Sequence, residues 1–195
     1  MGERDTSFAR LVTLAAHDLR TPLATIHGFA QTILRLGSLE EPNDRYMEMI
    51  AAASKQLAEL LEELSLAARI EGRRYEPNLQ EIDTLELARG AATELGEERV
   101  LVDGEGGNVR VDVDATKRGV AALAQAALRH GGFDEVECRA GDGRLTITPV
   151  TAASGPVLLG EDLRDLGAAV AVRLISALGG SVSLDGEAVV VTLPS

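Results

Sequence analysis

FARLVTLAAHDLRTPL, residues 8–23, decides the fold of the first part of the chain and carries its chemistry. Apolar residues recur there every three or four positions, which predicts an amphipathic helix whose apolar stripe packs in a bundle. That stripe comprises Phe8, Val12, Ala15, Leu19, Leu23 and Ile26. At about 100° per residue, His17 falls on a second stripe that it shares with Thr21, so its ring is expected to face outward. An exposed imidazole is open to a partner.

The residues next to His17 fit a nucleophilic role. Asp18 can orient one ring nitrogen or take its proton, which leaves the other nitrogen free as a nucleophile. Thr21, one turn on, offers a hydroxyl that could position a water. Pro22 removes a backbone donor, so the helix is expected to bend just beneath the site. A surface histidine on a dimerising helix is the alternative, but the ordered string HDLRTPL is far rarer by chance than a lone histidine.

That string resembles the H-box of sensor histidine kinases, in which a helical hairpin dimerises and carries the phospho-accepting histidine. In that family the histidine exchanges phosphate with an aspartate of a response regulator. The acidic residue after it assists phosphorylation, and a threonine or asparagine four residues on assists dephosphorylation. The resemblance therefore implies catalytic roles for His17, Asp18 and Thr21.

Composition sets the broad class of the protein. With 195 residues and 45% apolar content, the chain is long enough for one large domain or two small ones, and it suits a soluble globular protein. A formal charge of -12 argues against binding to nucleic acid or to an anionic membrane. No apolar run approaches the roughly 20 residues that a membrane span needs, and the first residues lack a signal-peptide core. These features predict a cytoplasmic protein without membrane insertion.

Two helices are predicted before residue 72. The first is expected to begin near Asp5 or Thr6, either of which can cap it, and to end at Leu36, where Gly37 is a left-handed stop. The second is expected to start at Pro42 or the residue after it and to reach Ile70, and its apolar residues follow the 3-4 spacing of a heptad seam. The seam comprises Met47, Ile50, Ser54, Leu57, Leu61, Leu64 and Ala68.

Two helices joined by a short turn cannot bury both apolar stripes alone. The economical solution is an antiparallel helical hairpin that forms a four-helix bundle with a second copy, which predicts a homodimer. The alternative is a coiled-coil dimerisation domain without catalytic activity. A charged break at residues 72–77 ends this region, so the hairpin domain is assigned to residues 1–72 and a second domain to residues 77–195.

The second domain alternates strand and helix signals. Strands are predicted at 79–83, 100–103, 109–113, 135–139, 145–148, 181–184 and 188–193. Helices are predicted at 84–95, at 114–130 and from about 162 to 178, with Thr84 and Asp114 as N-caps. The strands at 100–103 and 109–113 flank a glycine-rich turn and are expected to form a hairpin. The chain is therefore predicted to be α+β, with a helical hairpin followed by an α/β sandwich whose helices cover one face of a mixed sheet.

This order of elements resembles the ATP-binding domain of histidine kinases, but the nucleotide site differs from the family pattern. The helix at 116–130 looks like the family's N-box helix, in which two asparagines four residues apart hold magnesium and phosphate. Ala122 and Ala126 stand at those positions, and alanine has no oxygen for magnesium. No asparagine lies between Val109 and the C-terminus, so no shift of register restores the pair.

Two further nucleotide motifs are altered. The adenine-binding aspartate with its glycines is absent after Thr148, where the chain reads TPVTAASGPVLLG. The family's glycine-rich turn before the last long helix corresponds here to residues 165–168, DLGA, in which Asp165 adds a negative charge. Glycine there lets backbone amides approach phosphate, whereas an acidic side chain opposes it. The chain is thus expected to bind no ATP, no other cofactor and no metal.

These patterns predict a dimeric histidine phosphotransferase of a two-component phosphorelay. It would pass a phosphoryl group between His17 and the aspartate of a response regulator receiver domain, which would supply the magnesium. It resembles known bacterial phosphotransferases that pair a helical hairpin with a degenerate kinase domain. Two alternatives remain open: an ATP-dependent histidine kinase core with an unusual nucleotide site, and a non-catalytic dimeric adaptor. His27 and His130 lack metal-ligand partners at suitable spacing and are expected to be structural or surface residues.

Overall fold

The chain folds into two compact units, Met1–Tyr75 and Glu76–Ser195. The computed structural model describes residues 3–37, 39 and 41–194, and it describes the side chains of Ala9 and of residues 12 onward within these ranges. The first unit is helical and the second combines helices with a mixed sheet. The predicted α+β class, a helical hairpin followed by an α/β unit, is confirmed.

The first unit is a hairpin of two long helices, α1 (Glu3–Leu36) and α2 (Asn43–Glu71). Helix α1 ends where it was predicted to end, because Gly37 follows with a φ of 62°, a conformation that glycine adopts without strain. The predicted start is wrong, since α1 begins before Asp5 and Thr6. The side chains of these two residues and of Phe8 lie outside the described part of the chain.

The positions through which α1 packs in the hairpin recur every seven residues. On α1 the buried residues are Ala9, Ala16, Leu23 and Ala30, and on α2 they are Ala51, Ser54, Leu66 and Ala68. A seven-residue repeat of small and apolar residues is the packing pattern of paired helices. His27 adds a polar link, because its Nδ1 lies 3.2 Å from both the Ala51 carbonyl and the Ser54 hydroxyl. His27 is therefore structural.

Each helix also keeps a second apolar face that the hairpin does not cover. Leu19 is 54% exposed and Ile26 is 50% exposed, although the periodicity placed them on one stripe with the buried Leu23. On α2 the predicted seam divides in the same way, since Ser54 is buried while Leu57 is 52% exposed. The predicted stripes thus contain two neighbouring faces, one used within the hairpin and one open.

Within residues 76–194, the second unit contains seven strands and four helices. The strands are β1 (Leu79–Asp83), β2 (Val100–Gly104), β3 (Asn108–Asp112), β4 (Val136–Gly141), β5 (Arg144–Thr148), β6 (Ser181–Asp185) and β7 (Ala188–Thr192). The helices are α3 (Thr84–Leu95), α4 (Val113–Gly131), α5 (Gly155–Leu158) and α6 (Leu166–Ala177). Five strands form one mixed sheet in the order β2-β4-β5-β7-β6, and β1 pairs with β3 separately. Helices α3, α4 and α6 carry buried apolar residues that form one core with those of the sheet.

The expected hairpin of β2 and β3 is wrong. Strand β2 runs parallel to β4, and β3 runs antiparallel to β1. The glycine-rich turn between them is held by the start of α3, since Gly107 accepts a hydrogen bond from the Thr84 amide at 2.9 Å and donates one to the Asp83 carboxylate at 3.3 Å. These tertiary contacts decide the strand pairing, because pairing depends on which neighbours a strand can pack against.

The helix caps also differ from expectation. Asp83, not Thr84, caps α3, because its carboxylate accepts from the Leu85 amide at 2.7 Å. The Thr84 hydroxyl instead donates to the Gly141 carbonyl at 2.7 Å. Asp112, not Asp114, caps α4, and in both cases the aspartate ends the preceding strand in extended backbone, as a cap residue requires.

Candidate functional site: an exposed histidine on the first helix

His17 projects from the middle of α1 into solvent. Its side chain is 72% exposed, and it lies away from the buried residues Ala16 and Leu23 that face α2. The outward orientation expected from the helical period is therefore present. An imidazole in this position is accessible to a macromolecular partner without any change in the packing of the hairpin.

The carboxylate of Asp18 faces one edge of the His17 ring. Asp18 Oδ1 lies 3.2 Å from His17 Nδ1. This contact favours the tautomer in which Nδ1 carries the proton and donates it to the carboxylate. The lone pair is then on Nε2, at the other edge of the ring. The arrangement can present Nε2 as a nucleophile whose orientation is set by a neighbouring acid.

Thr21 differs from the other helical threonines of the hairpin whose side chains the structure describes. Thr13, Thr25 and Thr32 each donate their hydroxyl to the carbonyl four residues earlier, at 2.8–3.1 Å. The Thr21 hydroxyl makes no such bond to any residue that the structure describes, and it is exposed. It lies one turn from His17, so it is available to bind a water or a phosphoryl oxygen there.

A shallow depression surrounds the histidine. It is lined by His17, Arg20, Thr21, Ala24 and Thr25. Sequence reasoning placed His17 and Thr21 together but assigned no role to Arg20, the lining residue that carries a fixed positive charge. The sequence did contain a signal for Arg20, since this residue is part of the HDLRTPL string and lies three residues after the histidine. Pro22 lies within α1, which continues to Leu36, and the expected bend at Pro22 stays a prediction.

In the second unit, the positions compared with the N-box face different surroundings. Ala126 is fully buried and belongs to the core cluster, while Ala122 is half-buried. Neither side chain has an oxygen. In the part of the chain that the structure describes, no group of three or more His, Cys, Asp or Glu side chains could hold a metal ion.

Asp165 lies in a cluster that joins the end of α4 to the start of α6. One carboxylate oxygen caps α6 by accepting from the Ala168 amide at 3.1 Å. The other lies 3.1 Å from Arg129 Nη1 and 3.1 Å from His130 Nε2. The Asp165 side chain is only 8% exposed. A buried carboxylate with these partners is fully engaged within the protein, and His130 is structural.

Cys138, the single cysteine, is not a candidate nucleophile. It lies fully buried in the core on β4. Burial, together with the nearby charge of Glu137, raises the pKa of Cys138 to about 12. The thiolate is the reactive form of cysteine, so this thiol is unreactive in the folded protein.

Within the described residues, no helix is both long and apolar enough to span a bilayer.

Comparisons with known proteins agree with the helical hairpin. Residues 9–73 match the His Kinase A (phospho-acceptor) domain. The histidine protein kinase DivJ of Caulobacter vibrioides is 32% identical over 176 residues, which cover 82% of this chain and 28% of DivJ. The chain therefore spans less than a third of the length of that relative.

Two solved structures share the fold. Full-length ShkA in complex with AMPPNP superposes with a TM-score of 0.68 at 19% identity, over 95% of this chain and 46% of ShkA. The histidine kinase AdeS of Acinetobacter baumannii superposes with a TM-score of 0.60 at 19% identity, over 91% of this chain and 95% of AdeS. The resemblance drawn from HDLRTPL is confirmed. Residues 9–73 thus belong to the phospho-acceptor domain family of histidine kinases, and the second unit has the ATPase-like fold of these histidine kinase structures.

Proposed function

We propose that this chain passes a phosphoryl group between His17 and the aspartate of a response regulator receiver domain. The observation that carries the proposal is the exposed imidazole, 72% accessible, whose Nδ1 contacts Asp18 and whose Nε2 contacts no other described residue. Membership of a two-component signalling family supports the choice of partner. The match of residues 9–73 to a phospho-acceptor domain supports the choice of His17, which is the histidine exposed on that hairpin.

The chemistry is a displacement at phosphorus. The Nε2 lone pair attacks the phosphorus of the regulator's aspartyl phosphate, the P–N bond forms, and the P–O bond to the aspartate breaks. The aspartate leaves as a carboxylate with the electron pair. The ring becomes an imidazolium with its proton on Nδ1, and the Asp18 carboxylate stabilises that positive charge. The reverse reaction returns the group, and magnesium is supplied by the receiver domain.

Thr21 is proposed to act on water. Its hydroxyl has no hydrogen-bond partner among the described residues and lines the same depression as His17. A water held there lies beside the site of phosphoryl transfer and can hydrolyse the phosphoryl group. Thr21 is not needed for the attack of Nε2, so transfer and hydrolysis should respond differently to its removal.

We infer further that the second unit binds no ATP. In the register of the family's N-box helix, Ala122 and Ala126 supply no oxygen ligand for magnesium. The position matched to the glycine-rich turn holds Asp165, whose carboxylate caps α6 and is paired with Arg129 and His130. An anionic side chain at the N-terminus of this helix opposes a phosphate there. The ATPase-like unit is then a scaffold, and the chain carries no cofactor or metal of its own.

The open apolar faces of the hairpin support a homodimer. Exposed apolar side chains on α1 include Leu19, Ile26, Phe29 and Leu36, and those on α2 include Tyr46, Met49, Ile50, Leu57, Leu60 and Leu64. Burying them against a second copy would form a four-helix bundle. His17 lies about 160° around α1 from Leu19, so it stays accessible in such a bundle.

An ATP-dependent kinase core is the second candidate. It is favoured by the relatives, since DivJ is a histidine protein kinase and the ShkA structure is a complex with AMPPNP. Titration of the full chain with ATP and magnesium in a calorimeter separates the two. The phosphotransferase proposal expects no heat of ATP binding. A micromolar affinity for ATP would contradict it and favour the kinase core.

The central test uses phosphorylated receiver domains from the same genome as the chain. The labelled phosphoryl group of a cognate receiver should move to the chain and should not move to His17→Ala. Because His17 is exposed, this change should leave the helical content and oligomeric state unaltered. Undiminished labelling of His17→Ala would contradict the proposal. Absence of labelling from every receiver would favour the non-catalytic adaptor.

A further inference from the structure

We infer that Arg20 binds the phosphoryl group at His17, and that its guanidinium is a catalytic group of the transfer reaction. This inference rests on the proposed function of His17 and adds a second residue to the reacting site. It comes from the placement of charge around the depression on α1.

Arg20 lies beside His17 on the helix surface. Residues three apart on an α-helix are neighbours, with about 5–6 Å between their Cβ atoms. Arg20 lines the depression together with His17 and Thr21. Its flexible side chain can therefore reach a group bound to Nε2 without any movement of the backbone.

The two charged neighbours of His17 lie on opposite flanks. Arg20 is about 60° around the helix from His17 on one side, and Asp18 is about 100° away on the other. Asp18 engages Nδ1 and does not line the depression. The acid thus faces the ring edge that keeps its proton, while the cation lies on the side where the phosphoryl oxygens would be.

Arg20 is also free to take an anion. It makes no ion pair or hydrogen bond with any residue that the structure describes, unlike Arg74, which donates to the Thr13 hydroxyl on the same hairpin. The chain as a whole carries a formal charge of -12, so an incoming phosphoryl group meets general repulsion. A local unpaired guanidinium offsets that repulsion where the reaction occurs.

The guanidinium suits the transferring group. Its fork of N–H donors matches two non-bridging phosphoryl oxygens, and charge-assisted bonds of this kind are stronger than neutral ones. In the loose transition state of phosphoryl transfer, negative charge is spread over these oxygens. Arg20 would hold the oxygens in place while Nε2 forms its bond to phosphorus and the leaving group departs with the electron pair.

The test uses a small phosphoryl donor, so that receiver docking plays no part. The full-length chain is incubated with potassium phosphoramidate, and phosphohistidine is followed by phosphorus NMR. Nε2 attacks phosphorus, the phosphoramidate P–N bond breaks, and ammonia leaves with the electron pair. Loss of a charged hydrogen bond in Arg20→Gln should lower the rate about 10- to 100-fold. Arg20→Lys should recover part of the rate, because it keeps the charge but not the fork.

Arg35→Gln is the matched control. Arg35 is an exposed arginine in the last turn of the same helix, about 22 Å along the axis from Arg20. Its removal should change the rate by less than about twofold. Raising the salt concentration should slow the parent and Arg35→Gln but have little effect on Arg20→Gln, because salt screens the attraction that Arg20 supplies. A purely structural role for Arg20 would not alter salt dependence.

The outcomes separate the two claims. If Arg20→Gln reacts at the rate and with the salt dependence of Arg35→Gln while His17→Ala accepts no phosphate, the inference about Arg20 is wrong and the role of His17 stands. If His17→Ala accepts as much phosphate as the parent, the proposed function fails and the inference falls with it.

Discussion

Removal of the Asp165 carboxylate should destabilise the second unit markedly. Asp165→Ala deletes the N-cap of α6, which costs about 1 kcal/mol. It also leaves His130, only 18% exposed, without its acceptor, which costs about 1–2 kcal/mol. Arg129 is 56% exposed, so water screens that pair and its loss adds at most about 0.5 kcal/mol. The expected loss is therefore about 2–3 kcal/mol of the free energy of unfolding.

Two further variants divide this loss into its parts. Asp165→Asn keeps one oxygen, which can still cap α6, but it replaces the oxygen that faces His130 and Arg129 with an NH2 group, so it should lose only that second part, about 1–2 kcal/mol. Asp162→Ala is the matched control, since Asp162 pairs with Arg164 at the surface and should contribute less than about 0.5 kcal/mol.

The measurement is urea unfolding of the full chain followed by circular dichroism, with amide hydrogen exchange to locate the effect. Exchange should accelerate in α6 and at the end of α4, which the cluster joins, and should be unchanged in α1. Equal stability of Asp165→Ala and Asp162→Ala would refute the reasoning, because it would mean that the buried cluster contributes no more than a surface pair.

Three other predictions follow from the site and the core. Thr21→Ala should retain phosphoryl transfer, while hydrolysis of the phosphoryl group by water should slow. Both rates are measured by following labelled phosphate on the two proteins over time. An equal loss of transfer and hydrolysis would contradict a role of Thr21 confined to water. Leu57→Asp should dissociate the proposed dimer in sedimentation experiments, because it places a charge on the open apolar face. Gln56→Asp on the same helix is the control and should leave the dimer intact. A dimer that survives Leu57→Asp would show that this face is not the interface. Cys138 should resist a thiol reagent at pH 8 in the folded chain and react quickly in urea, since burial raises its pKa to about 12, and rapid labelling of the native protein would contradict the burial.

Local sequence signals were sufficient to predict the hairpin and most boundaries of the helices and strands. Gly37 ends α1 as predicted, and the predicted strand 79–83 coincides with β1. The period of the helix alone placed His17 off the packing stripe, and it is exposed in the structure. These features depend on residues within one or two turns of each other, so the order of amino acids contains the information needed to find them.

Features that depend on long-range contacts could not be predicted from the sequence. Only the tertiary structure pairs β2 with β4, because the glycine-rich turn is held by Asp83 and Thr84 at the start of α3. Only the fold brings Asp165 to His130, 35 residues earlier in the chain. The free Thr21 hydroxyl likewise emerged from the structure, where the other described threonines of the hairpin bond their own helix. Helices, turns and the outward histidine follow from periodicity and local stereochemistry, whereas strand partners and buried charge clusters depend on which distant groups the folded chain brings within hydrogen-bond distance.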